Sequence, residues 1–370
     1  MNDQDLIYRI GATLIKGVGA VTARQIIETL GDVSFLFKEK AQRLERIPGI
    51  SRRIIAEIHQ PDVLRRAEQE VAFIRKNQIA ALFIQDEAYP HRLKECVDAP
   101  ILLYLKGKAD LNTQKIISVV GTRNASPYGK AMTEDLLQGI AATYPGAVIV
   151  SGLAYGIDIC AHKAALKYQL PTIGVLAHGL DRIYPSAHRN TAVEMLEQGG
   201  LLTDFMSGTN PDRQNFVKRN RIVAGISDCT LVVESAAKGG ALITASIADS
   251  YNRDIFAVPG KATDLCSEGC NSLIKYKKAA LVTCAEDIFR EMCWNESQEK
   301  RRPAVQRILF PDLTPEEQSI TELLATKNTV QLNAFCIELN MPVSQLAPLL
   351  FELEMKGIIR CLPGGMYRLI

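Results

Sequence analysis

Lys218, Arg219 and Arg221 stand within four residues of one another, just beyond Arg213 and Phe216, in the stretch DRQNFVKRNRIVAGIS. Cations at that density beside an aromatic ring suit one chemistry in particular. Guanidinium and ammonium groups hold phosphates, while the ring offers its face to a base, and a single-stranded nucleic acid presents both. The competing reading is a core phenylalanine under a solvated cationic face. Asn220, within the cluster, and the glycine-rich surroundings described below favour binding.

Other residues invite catalysis less strongly. Asp158 and His162 are four apart on the helix that opens at Gly156, so they share one face and could orient a general base. An Asp in a first helical turn is also an ordinary partner of the helix dipole, and a His a packing residue, which is the favoured reading. His178 and Asp181 invite the same caution, and Ser151, Ser235 and Cys160 stand alone. Nothing assembles a nucleophile, base and orienting group, so the chain is read as a binding protein without catalysis or cofactor. Nine scattered cysteines fit reduced thiols of a cytoplasmic protein. Cys266, Cys270 and Cys284 lack a fourth ligand and the C-x2-C pairing of a zinc site, so no metal is expected.

Such residues need a scaffold, and residues 71–294 spell one. Apolar runs at ILLYLKG, KIISVVG, AVIVSG, PTIGVLAHG, GLLTDF, CTLVVES, RDIFAVPG and AALVTCAED alternate with amphipathic stretches. This is the pattern of an α/β, Rossmann-like, doubly wound and mostly parallel sheet. Glycine-rich turns follow the strands, with Gly121, Gly152, Gly156, Gly239 and Gly240 among them. In a parallel sheet these turns gather at the carboxyl edge, where a backbone without side chains can approach a phosphate. Arg123 projects from the first strand tip towards that edge. The first turn lacks G-x-G-x-x-G, no acidic residue ends the next strand, and no G-x-x-x-x-G-K-[ST] occurs, which argues against a nicotinamide site and excludes a P-loop.

Residues 1–70 read as a helical domain with two helix-hairpin-helix-like turns, Gly17-Val18-Gly19 and Pro48-Gly49-Ile50, the second followed by Arg52 and Arg53. Residues 295–311 are polar enough for a linker. Residues 312–370 give three helical segments and a hairpin around Pro363-Gly364-Gly365, a winged helix that is net acidic and therefore read as a protein-contact module. The 370 residues carry a net charge of only +2, with 47% hydrophobic and 23% charged residues, and no apolar run spans a bilayer. The start lacks the pattern of an export signal, so a soluble, cytoplasmic protein with no membrane partner is expected.

In order along the chain, VVGTRNASPYG, SGLAYGIDICAHKAAL, GLDRIYP, NFVKRNRIVAGIS, KGGALITA, FAVPG and GCNSLI resemble the motif series of the DNA-processing protein A (DprA/Smf) family. The match is dense over about residues 80–290, with the helical head and winged-helix tail in the family's usual positions. The resemblance implies an extended Rossmann core that binds single-stranded DNA, a homodimer, protection of incoming DNA, and loading of the RecA recombinase in natural transformation. Carried over by motif, the single-strand pocket uses Arg123, Arg213, Phe216, Arg219 and Arg221, with Gly152, Gly156, Gly239 and Gly240 shaping its floor. Leu273 and Ile274 fall near the family's dimer and RecA-contact surface, where the chain departs from the usual pattern by reading LIKYKKAAL, with Lys278 before Ala279. Two alternatives stand beside this reading. The core also resembles nucleotide phosphoribohydrolases, although KGGALITAS lacks the glutamate of their PGGxGTxxE motif. The winged helix, in turn, could serve a regulator that reads duplex DNA.

Overall fold

The computed structural model describes residues 2–294, 313–327, 329–362 and 365–369. The linker expected at 295–311 lies outside them, as do Pro363 and Gly364 of the C-terminal turn. The chain divides into two units, residues 1–294 and 295–370.

In the first unit the apolar runs become strands: β1 (Ala80–Phe83), β2 (Leu102–Gly107), β3 (Ile116–Val120), β4 (Val148–Ser151), β5 (Thr172–Val175), β6 (Gly200–Thr203), β7 (Cys229–Val232), β8 (Asp254–Ala257) and β9 (Ala280–Leu281). They form one sheet in the order β1-β2-β6-β5-β4-β3-β7-β8-β9. β3 to β7 read as nearly continuous apolar runs because both faces of this parallel stretch are covered. On one face Ile117, Val119, Ile149, Leu231 and Phe256 meet the helices Pro127–Thr143 and Ile157–Lys167. On the other, Ile116, Val120, Val150, Ile173 and Val232 meet Ile222 and Val223 of the helix Arg213–Gly225, and Ala241 and Ala245 of Gly240–Ser250.

Chain order runs outwards from β3 through β4 and β5 to β6, then returns to lay β7 on the other side of β3. That reversal is a topological switch point, and it opens a crevice at the carboxyl ends of β3 and β7. The parallel register aligns Val120 with Val232, so the two strand tips end level. The sheet is less uniform than its apolar runs foretell. β2 is antiparallel to β6, and β1, which the alternation of runs did not include, is antiparallel to β2.

The head packs on this edge. Its six helices are Asp3–Leu14, Ala20–Leu30, Phe35–Lys38, Ala41–Leu44, Arg52–Ile58 and Pro61–Asn77. Gly17 and Gly49 take φ of +87° and +88° in the two expected hairpin turns. The boundary expected at residue 70 falls inside the last of these helices. Its apolar stripe, Ala67, Val71 and Ile74, continues the core formed with Leu6 and Ile10 and carries the head on to Asn77, where Gln78 ends it in the left-handed conformation.

The second unit is a winged helix: helices Pro315–Lys327, Leu332–Glu338 and Val343–Met355, with β10 (Val330–Gln331), β11 (Ile359–Leu362) and β12 (Met366–Leu369) in the order β10-β12-β11. Ile320, Leu324, Phe335, Leu346, Leu350 and Leu353 fill its own core. The short β10, too brief to carry a pattern, adds a third strand to the expected hairpin.

Candidate nucleic-acid interface

A cleft of about 640 Å³ occupies the switch point. Gly121, Thr122 and Arg123 after β3, Gly152 and Asp158 after β4, and Lys238, Gly239 and Gly240 after β7 supply three of its sides. The helix Arg213–Gly225 supplies the fourth. Arg213, Phe216, Val217, Asn220 and Val223 line the cleft from that helix, at the spacing that puts residues on one helical face, and Arg219 reaches its lining from beneath.

At the mouth, the exposed guanidinium of Arg123 lies over the Phe216 ring, 5.1 Å from its centroid. Neither Arg123, Arg213 nor Lys238 makes an ion pair among the described residues, so their charges are available to an anionic ligand. Lys238, in the turn before Gly239, was not singled out from the sequence; its position between a strand end and a glycine pair is the signal that could have found it.

Gly152 forms the floor because a Cβ there would come within 2.5 Å of the Arg219 guanidinium. Gly156 has φ of +78°, and a Cβ on it would strike the carbonyl oxygen of Thr122, so only glycine lets the helix Ile157–Lys167 dock against the Arg123 tip. Gly156 therefore sets the tip's position without lining the cleft. Gly240 faces open space.

Three cations of the cluster do different work from that expected of them as a group. Arg219 is 4% exposed and donates from Nη1 to the carbonyl oxygens of Gly152, at 2.7 Å, and Val175. Burial brings its pKa down to about 10 against the opposing pull of Asp158. It ties β4 and β5 together beneath the cleft as a floor residue. Arg221 turns away altogether: Nη2 donates to Asp204 Oδ2 at 2.8 Å, and Nη1 to the carbonyl of Asp98. Lys218 is exposed but does not line the cleft. Residues 218 and 221 lie on a helical face away from residues 213, 216 and 220.

The helix itself is held by the head. Glu70, 2% exposed, accepts from the Ser207 backbone N–H at 2.9 Å and its hydroxyl at 2.5 Å, while Arg66 donates to the Ser207 carbonyl at 2.6 Å. Ser207 lies in the loop leading to Arg213, so this clamp fixes where the cationic helix begins.

Asp158 accepts from the Gly152 backbone N–H at 3.1 Å; burial raises its pKa, opposed first by Arg219. It is the one carboxylate among the described residues that line the cleft. His162 is fully buried, with Nδ1 2.7 Å from Thr172 Oγ1, and burial pushes its pKa from 6.5 down to about 3. It is a packed, neutral imidazole. Below pH 6.5 the unfolded chain takes up a proton that folded His162 refuses, so stability falls with pH through the window from 6.5 towards 3. The loss is on the order of a few kcal/mol by pH 4. Urea unfolding at pH 7 and 4.5 should show this, and His162→Gln should flatten the difference.

His178 is also buried, and burial lowers its pKa. Leu273 and Ile274 are half-buried against the core, in the helix Glu268–Lys275. All nine cysteines are free, and the described residues hold no cluster of His, Cys, Asp and Glu fit for a metal ion. No single helix among them is long and apolar enough to cross a membrane.

In the winged helix, Lys356 is paired with Glu317 at 2.6 Å, and Lys327 with Glu338. The helix Val343–Met355 exposes Phe351 (64%) and Met355 (74%) in place of cations. Arg360 and Arg368 face each other across the hairpin.

Residues 80–293 match the family model of DNA recombination-mediator protein A, and residues 309–365 that of the DprA winged helix domain. Protein Smf of Escherichia coli is 34% identical over 320 residues, 83% of this chain and 84% of the relative. DNA processing protein DprA of Streptococcus pneumoniae is 40% identical over 208 residues, covering 56% of this chain and 72% of the relative. The crystal structure of the S. pneumoniae protein aligns with a TM-score of 0.63 at 32% identity, over 77% of this chain and 97% of that one. DNA processing protein A of Helicobacter pylori, described for its single-stranded DNA binding mode, aligns with a TM-score of 0.53 at 29% identity, over 59% of this chain and 97% of that one. With its core and its winged helix both matched, the chain belongs to the DNA-processing protein A (DprA/Smf) family.

Proposed function

We propose that this protein binds single-stranded DNA in the switch-point cleft, protects it, and delivers it to the RecA recombinase during natural transformation, acting as a homodimer in the cytoplasm. The observation that carries the reading is the Arg123 guanidinium lying over the Phe216 ring at the mouth of a glycine-floored cleft. An aromatic face for a base, bordered by unpaired cations for phosphates, suits an unpaired strand of any sequence. The single-stranded DNA binding described for the H. pylori relative supports it.

Hydrolysis of a nucleotide is favoured less, since the cleft's carboxylate, Asp158, is buried and occupied by the Gly152 N–H. Reading of duplex DNA by the winged helix is disfavoured too. Its third helix exposes apolar side chains and no unpaired cation, and two arginines on the hairpin are few for phosphate binding. The exposed Phe351 and Met355 support a protein contact instead.

Delivery to the recombinase has a direct test. On single-stranded DNA precoated with a single-strand-binding protein, the wild-type chain should raise the rate of DNA-dependent ATP hydrolysis by RecA several-fold, and a Phe216→Ala chain should not. No rise with the wild type would remove the loading role while leaving DNA binding in place.

A further inference from the structure

Tyr184 belongs to the GLDRIYP stretch after β5, and the cleft-lining residues do not include it. Its side chain is nonetheless 48% exposed, and its ring stands edge-on to Phe216, with centroids 6.0 Å apart and planes at 61°. A half-exposed tyrosine against the stacking residue of a cleft has an unused apolar face beside it. We propose that Tyr184 is a second base platform, which takes the base next to the one on Phe216 as a single strand passes over the cleft rim. This rests on the single-strand reading of the cleft and extends it by one nucleotide.

The backbone that carries the ring is held in place. Tyr184's backbone N–H donates to Nε2 of buried His178 at 3.3 Å, and the same imidazole has Nδ1 2.9 Å from the Gly179 carbonyl. Those two partners fix one neutral tautomer, with Nδ1 protonated and Nε2 accepting. Asp181, in the same loop, accepts from the Gly208 backbone N–H at 2.9 Å, and Arg182 donates to Asn210 Oδ1 at 2.8 Å. The loop carrying Tyr184 is thereby pinned to the one that leads into the helix of Phe216. Two aromatic faces on pinned loops form a preorganised site, and adjacent bases of a flexible strand can turn to meet rings that are not coplanar.

The test is equilibrium binding of a fluorescent oligo(dT) by the full chain and its Tyr184→Ala, Tyr184→Leu, Tyr184→Phe and Phe216→Ala variants at several salt concentrations. Stacking by Tyr184 requires Ala and Leu both to weaken binding, by roughly five- to thirty-fold, Phe to stay within about twofold, and the salt slope to be unchanged. Leucine restores bulk against Phe216 without a π-face, so a Leu variant that binds like wild type would reduce Tyr184 to a support for Phe216 and overturn the proposal. A full-strength Ala variant alongside a weakened Phe216→Ala also overturns it, leaving the cleft reading intact. Full strength in both would overturn the cleft reading as well.

Discussion

Phe216→Ala is expected to weaken binding of single-stranded DNA by about 1–3 kcal/mol, roughly five- to 150-fold, while leaving the dependence on salt nearly unchanged. The reason lies in the division of labour at the cleft mouth. Phe216 is uncharged and half-buried on the helix Arg213–Gly225, so its loss removes a stacking face and releases no counterions. Arg123, exposed and outside any ion pair among the described residues, should behave in the opposite way. Arg123→Ala is expected to lower the slope of log K against log salt by about 0.7, the contribution of one phosphate contact on a single strand. Because the guanidinium also lies over the ring, the two substitutions should be less than additive. Titrations of the single and double variants over a salt series check all three statements.

Arg221→Ala should have its large effect elsewhere. Arg221 bridges the helix to Asp204 and the Asp98 carbonyl, with side-chain exposures of 19% for Arg221 and 10% for Asp204. Removing it strands the Asp204 carboxylate in a buried site. Breaking a buried pair in this way costs about 3–5 kcal/mol. Partial exposure lowers the expected loss to about 2–4 kcal/mol, read as a lower urea midpoint at unchanged m-value. The salt slope of DNA binding should stay at the wild-type value wherever the variant is folded. A lowered slope would return Arg221 to the phosphate-binding set.

The contrast between these arginines marks where sequence stops being informative. The clustering of cations after Phe216 was legible, as was the gathering of glycine turns at one sheet edge, because both are properties of composition and strand order. Which cations face the ligand was not legible. Successive residues of a helix turn by about 100°, so neighbours in the chain point to different surroundings. Arg213, Phe216 and Asn220 share the cleft face, Arg219 goes under the floor, and Arg221 meets acids supplied from positions 98 and 204. Only the tertiary fold brings those acids near. Lys238 escaped notice for the converse reason, as a lone lysine with no cluster around it.

The fold was similarly readable where pattern is strong. Apolar runs bounded by turn residues gave β2 to β9, but β1 begins three residues after the helix Pro61–Asn77 with no glycine or proline to set it off, and the two-residue β10 is too short to show a period. The end of the head was misplaced because the amphipathic stripe of Pro61–Asn77 is continuous through residue 70 and offers no break. His162 and Asp158 show the same limit in chemistry. Their spacing is compatible with an acid–base pair, and only burial distinguishes the packed imidazole from a reactive one.

The most direct test of the central claim is fluorescence anisotropy of the full chain with labelled single-stranded and duplex DNA across a salt series, beside an Arg123→Ala/Phe216→Ala double variant. A cleft built for unpaired bases should bind the single strand at least tenfold more tightly than the duplex, and the double variant should lose most of that preference. Equal affinity for both DNAs, or a double variant that retains the wild-type preference, would contradict the assignment of single-strand binding to the switch-point cleft.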